Sequence, residues 1–184
     1  MYSLFKFFFR LGDYYRGLKL FLLINLCGGI CKGIPKVGKN VIFKYPPHKG
    51  IKFGKKCDIG AFSHFDIPPF GQLIVGDCVK MTQGGVVSAI NKVEIQSNTL
   101  IAEWVSIRDA QHLFDKNEPI NKQGMKKGEI LIEEDVWIGR GSSIFLNTTI
   151  RKCAIIGDET IVKSIEIYSM EIHEGNQIKF IKNR

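Results

Sequence analysis

The side chain best suited to proton transfer near neutral pH is histidine, and one of the four histidines stands in a distinctive context. His112 ends the segment SIRDAQH and directly precedes the polar stretch LFDKNEPINKQGMKKGE, which contains Gly124 and Gly128. A histidine beside a projecting loop is placed to act as a general base toward a hydroxyl or an amine. Asp109, three residues earlier, is a second candidate, with an ordinary surface carboxylate as the alternative.

The other histidines carry weaker signals. His64 also ends a repeat unit, but no long polar loop follows it, so contact with an acceptor is the lesser interpretation. His48 lies in a proline-rich turn and His173 near the C-terminus, and both are expected to face solvent. Because zinc needs closely and regularly spaced histidines or cysteines, these isolated histidines predict no metal site.

The five cysteines indicate the redox environment rather than a reaction. Their number is odd, their spacing is irregular, and no signal-peptide cleavage pattern precedes them. This usage predicts reduced thiols in a cytoplasmic protein. Cys27 and Cys31 are one helical turn apart, but no second pair follows, so packing is favoured over half a metal site.

A six-residue period must position the candidate residues. Large apolar residues recur at this spacing, with a two-residue slip before Ile95, in the sets Phe53, Ile59, Phe65; Val75, Met81, Val87, Val93; Ile95, Ile101, Ile107; and Ile132, Ile138, Ile144, Ile150, Ile156, Val162. Four places later a small or β-branched residue recurs, as at Cys57, Ser63, Val79, Thr99, Val105, Val136, Ser142, Thr148, Ala154 and Thr160. The residue directly after the aliphatic is often glycine, which we interpret as the turning point.

This pattern is the hexapeptide repeat of a parallel β-helix. Each hexapeptide supplies a short strand and a corner, three of them close one triangular coil, and every eighteenth residue stacks on itself. The aliphatic and the small residue both point inward. The predicted class is therefore all-β, with about six stacked coils at the usual strand spacing.

Interruptions of the period define the segments of the chain. We expect a helical segment over 1–33, the β-helix over 34–165 with a projecting loop at 113–129, and a tail over 166–184. Shorter breaks at 44–50 and 66–72 are predicted corner excursions. Because a regular coil has no cleft, function is expected at such insertions.

Charge is concentrated at one end. Residues 1–56 carry twelve Lys or Arg and a single acid, Asp13, although the whole chain has a net charge of only +8. No helix-turn-helix, zinc-finger or RNP signature accompanies the bases, so nucleic acid is not a predicted partner. The helical segment either packs on this chain or a neighbouring subunit, or makes peripheral contact with an anionic membrane through residues 1–56. No apolar run reaches the length of a membrane span.

The stretch from SIRDAQH through LFDKNEPINKQGMKKG to EDVWIGRGSSIF resembles the hexapeptide-repeat sugar O-acetyltransferases, and most closely those of polysaccharide, capsule and O-antigen synthesis. The tail YSMEIHEGNQIKFIK is similar to the closing segment of that family. The resemblance implies left-handed coils, against the usual right-handed rule for parallel crossovers. It also implies acetyl transfer from the co-substrate acetyl-CoA to a sugar hydroxyl, without a metal.

Roles for individual residues follow from the same resemblance. His112 would remove the hydroxyl proton, and Asp109 would orient the imidazole or contact the acceptor. Trp137 would border the acetyl and pantetheine arm, and the backbone amide of Arg140 would hold the oxyanion. Further contacts to coenzyme A are implied for Asp158, Lys163, Lys179 and Lys182.

The resemblance further implies a homotrimer whose active sites lie between subunits, with His112 from one chain and Trp137 from its neighbour. The sequence departs from the family in several places that bear on the ligands. Glu166-Ile167 replaces a Pro-Pro pair and Gln177 replaces a proline, and the residues with which galactoside enzymes grip their sugar have no match. Two other functions stay open: N-acetylation of a nucleotide-linked amino sugar, and a non-enzymatic β-helix scaffold.

Overall fold

The structure is a computed structural model, and it describes residues 2–115, 118–175 and 179–183. One helix, α1 (Tyr2–Leu26), precedes a long series of short strands, and a single 3₁₀ turn lies at Ile120–Lys122. The strands, in chain order, are β1 (Ile30–Cys31), β2 (Lys36–Val37), β3 (Ile42–Phe43), β4 (Ile51–Phe53), β5 (Asp58–Ile59), β6 (His64–Asp66), β7 (Gln72–Val75), β8 (Lys80–Met81), β9 (Val86–Ser88), β10 (Lys92–Ile95), β11 (Leu100–Ile101), β12 (Ser106–Arg108), β13 (Ala110–His112), β14 (Met125–Lys127), β15 (Glu129–Ile132), β16 (Trp137–Ile138), β17 (Ser143–Phe145), β18 (Thr148–Ile150), β19 (Ile155–Ile156), β20 (Ile161–Val162), β21 (Glu166–Ile167), β22 (Glu171–Glu174) and β23 (Lys179–Asn183).

Three sheets form the faces of a prism. The first contains β1, β4, β7, β10, β15, β18 and β21, and the second contains β2, β5, β8, β11, β16, β19 and β22, followed by β23. The third contains β3, β6, β9, β12, β17 and β20. All pairings within the prism are parallel, whereas β13 with β14 and β22 with β23 are antiparallel. The predicted β-helix is confirmed, and its coils are left-handed.

The inward positions are those that the period predicts. Ile138, Ile144 and Ile150 are completely buried, and the small residues four places after each aliphatic are buried as well. Small polar side chains at these positions bond to carbonyl groups, as Ser63 Oγ does to Gly60 (2.8 Å) and Ser142 Oγ to Gly157 (2.8 Å). The core is therefore one continuous column of aliphatics, and most of the hydroxyls at its corners are hydrogen-bonded, whereas Thr148 Oγ1 has no partner among the described residues.

The turning point of each corner differs from the expectation. The backbone adopts a positive φ three residues after the inward aliphatic, usually at a residue with a side chain, as at Cys78 (58°), Asn98 (63°) and Trp104 (60°). The glycine directly after the aliphatic has another function. A Cβ on Gly60 would meet the backbone of Thr82 and Gln83 in the next coil, at 2.6 Å from the Gln83 nitrogen. Glycine is needed there because the coils stack too closely for a side chain.

The coils are not uniformly eighteen residues long. Ile138 pairs with Ile156 at the expected spacing, but Val37 pairs with Ile59 and Ile59 with Met81, each 22 residues apart. All the extra residues leave the prism at the corner between the third and first sheets, in segments 44–50, 67–71, 89–91 and 109–128. The insertions therefore stack on one another along a single edge, which we call the insertion edge.

Helix α1 covers the first coil with one of its faces. Leu20 and Ile24 are buried, and a Cβ on Gly17 would collide with the carbonyl oxygen of Pro35. The Asn25 side-chain oxygen accepts the Cys31 amide (3.1 Å) and ties the helix end to β1. The β-helix thus begins at β1, earlier than the predicted boundary at residue 34. Among the described residues, no helix combines the length and apolarity needed to cross a membrane.

The other end of the prism extends beyond the predicted boundary at 165. Strands β21 and β22 add to the first and second sheets, and His173 stacks on Ile156 at an inward position. It is only 6% exposed, and its Nε2 lies 2.8 Å from Glu171 Oε2. This contact lowers the pKa of the Glu171 carboxyl. The expectation that His173 faces solvent is therefore wrong, because it occupies an inward position of the repeat.

The stacking argument predicts opposite outcomes for two glycines. Gly60→Ala should cost roughly 1–3 kcal/mol of the free energy of unfolding, since two coils must move apart. Gly124→Ala is the control, because a Cβ there would meet only Leu113 Cδ1 at 3.8 Å. It should change stability by less than about 1 kcal/mol. Chemical denaturation of both variants checks this, and equal stability would refute the close-stacking explanation.

Candidate active site

His112 lies in a hairpin that projects from the insertion edge. Strand β12 ends at Arg108, and the chain then leaves the prism in β13, which pairs with β14 so that His112 faces Met125 in register. From the sequence, the projecting loop was expected to begin after His112, at residue 113. The structure instead puts it inside the projecting arm, residues 110–128, and its side chain is exposed.

A groove of about 540 Å³ opens beside this histidine. Its walls come from four successive insertions and from the outward face of the third sheet, so that residues far apart in sequence converge. The lining residues are Lys44, Tyr45, Asp66, Pro68, Phe70, Ser88, Ile90, Arg108, Ala110, Gln111, His112, Met125 and Phe145. Neither Trp137 nor Arg140 belongs to this groove.

The groove combines cations with one partly exposed carboxylate, that of Asp66. Lys44 Nζ binds Asp66 Oδ2 at 2.9 Å, and this hydrogen bond raises the pKa of the lysine. Asp66 Oδ1 is buried and accepts no hydrogen bond within the described part of the chain. Arg108 donates from Nε to Ser106 Oγ (2.9 Å) and stays exposed. The side chains thus offer donors, an acceptor and a base to a polar ligand.

Asp109 has a structural task at the foot of the arm. It is fully buried, and its two carboxylate oxygens accept the backbone amides of Ile90 (2.8 Å) and Asn91 (2.7 Å). Burial raises the pKa of this carboxyl, although the amide donors act in the opposite direction. Its backbone carbonyl accepts the Gly128 amide (2.8 Å). Since both oxygens are engaged, the expectation that Asp109 orients the imidazole or contacts an acceptor does not fit this geometry.

The arm has further internal ties. Gln123 bridges its two sides, with Nε2 donating to the carbonyls of Asp115 (2.7 Å) and Glu118 (2.6 Å). At the base, Asn91 Nδ2 donates to the Gly128 carbonyl (3.0 Å), and the Lys127 ammonium lies 4.6 Å from the centroid of the Phe70 ring. These contacts hold the strand that carries His112 over the groove.

Trp137, Arg140 and Asp158 lie on another part of the prism. Trp137 is 49% exposed on the outward face of the second sheet, between Leu100 and Ile155. The backbone amide of Arg140 donates to Asp158 Oδ1 at 2.8 Å. That amide was expected to hold an oxyanion, but in this chain the carboxylate already occupies it. Within one chain the structure does not bring Trp137 to His112.

Three lysines were expected to contact coenzyme A. Lys163 is exposed and forms no ion pair with another described residue. The side chains of Lys179 and Lys182 fall outside the described part of the structure, so their predicted contacts stay predictions. Arg151 is committed to Glu133 (2.8 Å) and Glu166 (2.6 Å). An exposed tryptophan and a free lysine are compatible with a ligand that has an extended arm and phosphates.

The cysteines and the remaining histidines add no second site. None of the five cysteines forms a disulfide, and burial raises the pKa of Cys57 to about 12, which makes it a poor nucleophile. His48 was expected in solvent but is half-buried, with Nδ1 accepting the Gly50 amide (3.1 Å). Within 2–115, 118–175 and 179–183, no three His, Cys, Asp or Glu residues are grouped to hold a metal ion.

Some lining residues were missed at the level of sequence. Lys44 and Asp66 flank the two short excursions at 44–50 and 66–72, which were recognised only as turns. The two excursions converge because each lies between a strand of the third sheet and the following strand of the first sheet. They therefore leave the prism at the same edge.

The structure is a β-helix whose projecting arm holds a histidine over a polar groove. Comparison with known proteins shows which proteins it resembles. No known family profile matches the chain. A probable acetyltransferase of Mycobacterium tuberculosis is 31% identical over 158 residues, which cover 84% of this chain and 52% of that protein. The putative lipopolysaccharide biosynthesis O-acetyl transferase WbbJ of Escherichia coli is 24% identical over 140 residues, with 72% and 71% coverage.

Among solved structures, the N-acyltransferase AntD from Bacillus cereus, in complex with dTDP and coenzyme A, superposes with a TM-score of 0.76. It is 19% identical, and the alignment covers 94% of this chain and 91% of AntD, which establishes the fold. The resemblance seen in the sequence is confirmed, since these relatives are described as acetyltransferases and the solved structure shares the fold. It spans about half the length of the M. tuberculosis relative.

The contacts of Asp109 predict a loss of stability when it is changed. Asp109→Asn places an NH₂ group opposite a backbone N–H, so that a buried donor loses its partner at a cost of about 1–3 kcal/mol. We expect a lower melting temperature and faster proteolysis within 113–127. Glu129→Gln, at an exposed acid beside the arm, is the control. Unchanged stability combined with lost activity would instead give Asp109 a direct role in the reaction.

Proposed function

We propose that this chain transfers an acetyl group from acetyl-CoA to a sugar hydroxyl of a surface glycan or its precursor. The observation that carries the proposal is the groove at the insertion edge, where an exposed histidine, a partly exposed carboxylate and two cations meet. The similarity to acetyltransferases, one of them described as a lipopolysaccharide O-acetyl transferase, supports the choice of reaction.

In this mechanism His112 accepts the proton of the acceptor hydroxyl as the oxygen attacks the thioester carbon. The new carbon–oxygen bond replaces the carbon–sulfur bond, and the proton passes to the departing thiolate of coenzyme A. Transfer is direct, so no cysteine is needed as an intermediate acyl carrier. The Arg140 amide donates to Asp158 Oδ1. It can therefore stabilise the oxyanion only after this hydrogen bond has opened.

The acceptor oxygen or nitrogen would lie between His112 and Asp66. A carboxylate oxygen accepts a hydrogen bond equally well from a sugar hydroxyl and from an amino group. N-acylation of a nucleotide-linked amino sugar is therefore the second candidate. It is supported by the fold shared with AntD, whose structure contains dTDP and coenzyme A.

We further propose a homotrimer with each active site between two chains. Trp137 lies on the outward face of the second sheet, whereas His112 projects from the insertion edge between the third and first sheets. A neighbouring copy that turns its second sheet toward this edge would bring the two residues together. The groove of one chain would then receive the acetyl group along the tryptophan of the next.

The catalytic role of His112 is tested by replacing it. His112→Ala should lower kcat about 10²–10⁴-fold while binding of coenzyme A survives, since the base is lost and the cofactor surface is not. His64→Ala, a half-exposed histidine outside the groove, is the matched control and should keep full activity. Activity is measured as acetylated product by mass spectrometry, with neutral sugars and nucleotide-linked amino sugars as acceptors.

The product identifies the acceptor atom, because mild alkali cleaves an O-acetyl ester and leaves an N-acetyl amide intact. An alkali-stable product would replace O-transfer by N-transfer. Full activity of His112→Ala would remove the proposed base. A stable added acetyl group on the intact protein after incubation with acetyl-CoA alone would contradict direct transfer.

Intersubunit sites predict complementation between two inactive variants. When His112→Ala and Trp137→Ala chains are mixed, denatured and refolded together, some interfaces pair an intact histidine with an intact tryptophan. Activity should therefore reappear, whereas each variant refolded alone stays inactive. Native mass spectrometry verifies that mixed trimers have formed. Inactive mixed trimers would place both residues in a single-chain site.

A further inference from the structure

Helix α1 has two apolar faces, and the prism uses only one of them. Gly17, Leu20 and Ile24 pack on the first coil, and Arg16 donates from Nε to the Val37 carbonyl (2.9 Å) on the same side. The residues at the opposite helical positions make up what we call the outer face. Its described large apolar members are Phe5, Phe8, Leu11, Tyr14, Tyr15, Leu18, Leu22, Leu23 and Leu26.

These side chains are exposed to an unusual degree. Phe5 is 67% exposed, Tyr15 61% and Leu26 82%, and the least exposed member, Leu18, is still 40% exposed. A contiguous apolar surface of this kind on a protein normally marks an interaction site. The outer face therefore needs an occupant that the single chain does not supply.

The width of the outer face distinguishes between two occupants. Phe8, Leu11, Tyr15, Leu18 and Leu22 follow the alternating three- and four-residue spacing of a coiled-coil seam. At 3.6 residues per turn, however, the positions from Tyr14 round to Leu23 cover about half of the helix circumference. A second helix would cover only the central seam and leave both margins in water. A broad, flat apolar phase would cover all of it.

The charges around the helix favour an anionic surface. The only acid in residues 1–56 is Asp13, and it is already paired with Arg16. The Lys19 ammonium lies 4.5 Å from the Tyr15 ring centroid, and that of Lys36 lies 5.9 Å from the Tyr14 centroid. The Lys36 ammonium thus lies at the Tyr14 margin of the outer face and that of Lys19 lies beside Tyr15, and from both positions a long basic side chain can extend to lipid headgroups.

Arg10 and Lys39 extend this positive charge along the cleft between the helix and the first coils. We propose that the outer face of α1 lies in the interface of an anionic lipid bilayer, with its aromatic and leucine side chains among the acyl chains. The prism then stands on the membrane by its first coil. Its insertion edge extends away from that coil, within reach of an acceptor assembled at the membrane surface.

Sedimentation of the full chain with vesicles tests this. The protein should sediment with phosphatidylglycerol vesicles and much less with phosphatidylcholine vesicles. Binding should fall as the ionic strength rises from about 0.1 M to about 1 M, where the Debye length shortens from about 10 Å to about 3 Å. The double variant Leu18→Gln/Leu22→Gln, which keeps good helix formers and adds no charge, should bind at least roughly tenfold more weakly.

The matched control is Ile161→Gln/Met170→Gln, which removes two exposed apolar side chains near the other end of the chain. It should bind vesicles as the unaltered protein does, and circular dichroism should show the same helix content in all variants. Equal sedimentation with both kinds of vesicle, or with neither, would overturn the proposal. So would loss of the oligomer in the Leu18→Gln/Leu22→Gln variant if the unaltered protein binds no vesicles, because the occupant would then be a second copy of the chain.

Discussion

Backbone hydrogen bonding between stacked coils is the constraint on which the rest of this structure depends. Each coil repeats the path of its predecessor, with bonds such as Gly60 N–H to Met81 O (2.7 Å) and Gly139 N–H to Ile156 O (2.7 Å). Because these ladders run around all three faces, a side chain pointing along the axis at a tight corner has no room. The glycines after the inward aliphatics are therefore a consequence of stacking, and the turn itself is made two residues later.

The same constraint determines where a site can form. A ladder that is unbroken on three faces admits extra residues only at a corner, and in this chain all of them use the insertion edge. The groove is the space between successive insertions, which explains why Lys44, Asp66 and His112 come from three different coils. Asp109 closes the last insertion by accepting two amides of the coil below, so a buried carboxylate holds the base of the arm that carries the histidine.

The sequence predicted the part of the structure that repeats. The six-residue period predicted the inward column, the small corner residues and the fold class. It could do so because every repeat places an apolar residue and a small residue at the same two positions. Single events were not predictable in this way. The burial of His173 and the engagement of the Arg140 amide by Asp158 depend on how one coil lies on the next, which no local spacing records. The coil lengths vary along the sequence because the insertions vary in length. That all insertions leave the prism at the same edge becomes clear only from the pairing of the strands.

The two ends of the prism pose a different problem, since each would expose a row of unpaired strand edges. At the last coil the chain turns back as β23 and pairs antiparallel with β22. At the first coil, helix α1 covers the strands, with Asn25 tying its end to β1. A helix that caps the prism needs only one apolar face, but α1 has a second one. This second face is exposed, so it does not stabilise the fold of the single chain. Nine large exposed apolar side chains are costly to leave in water, so a contact outside the single chain would stabilise the outer face.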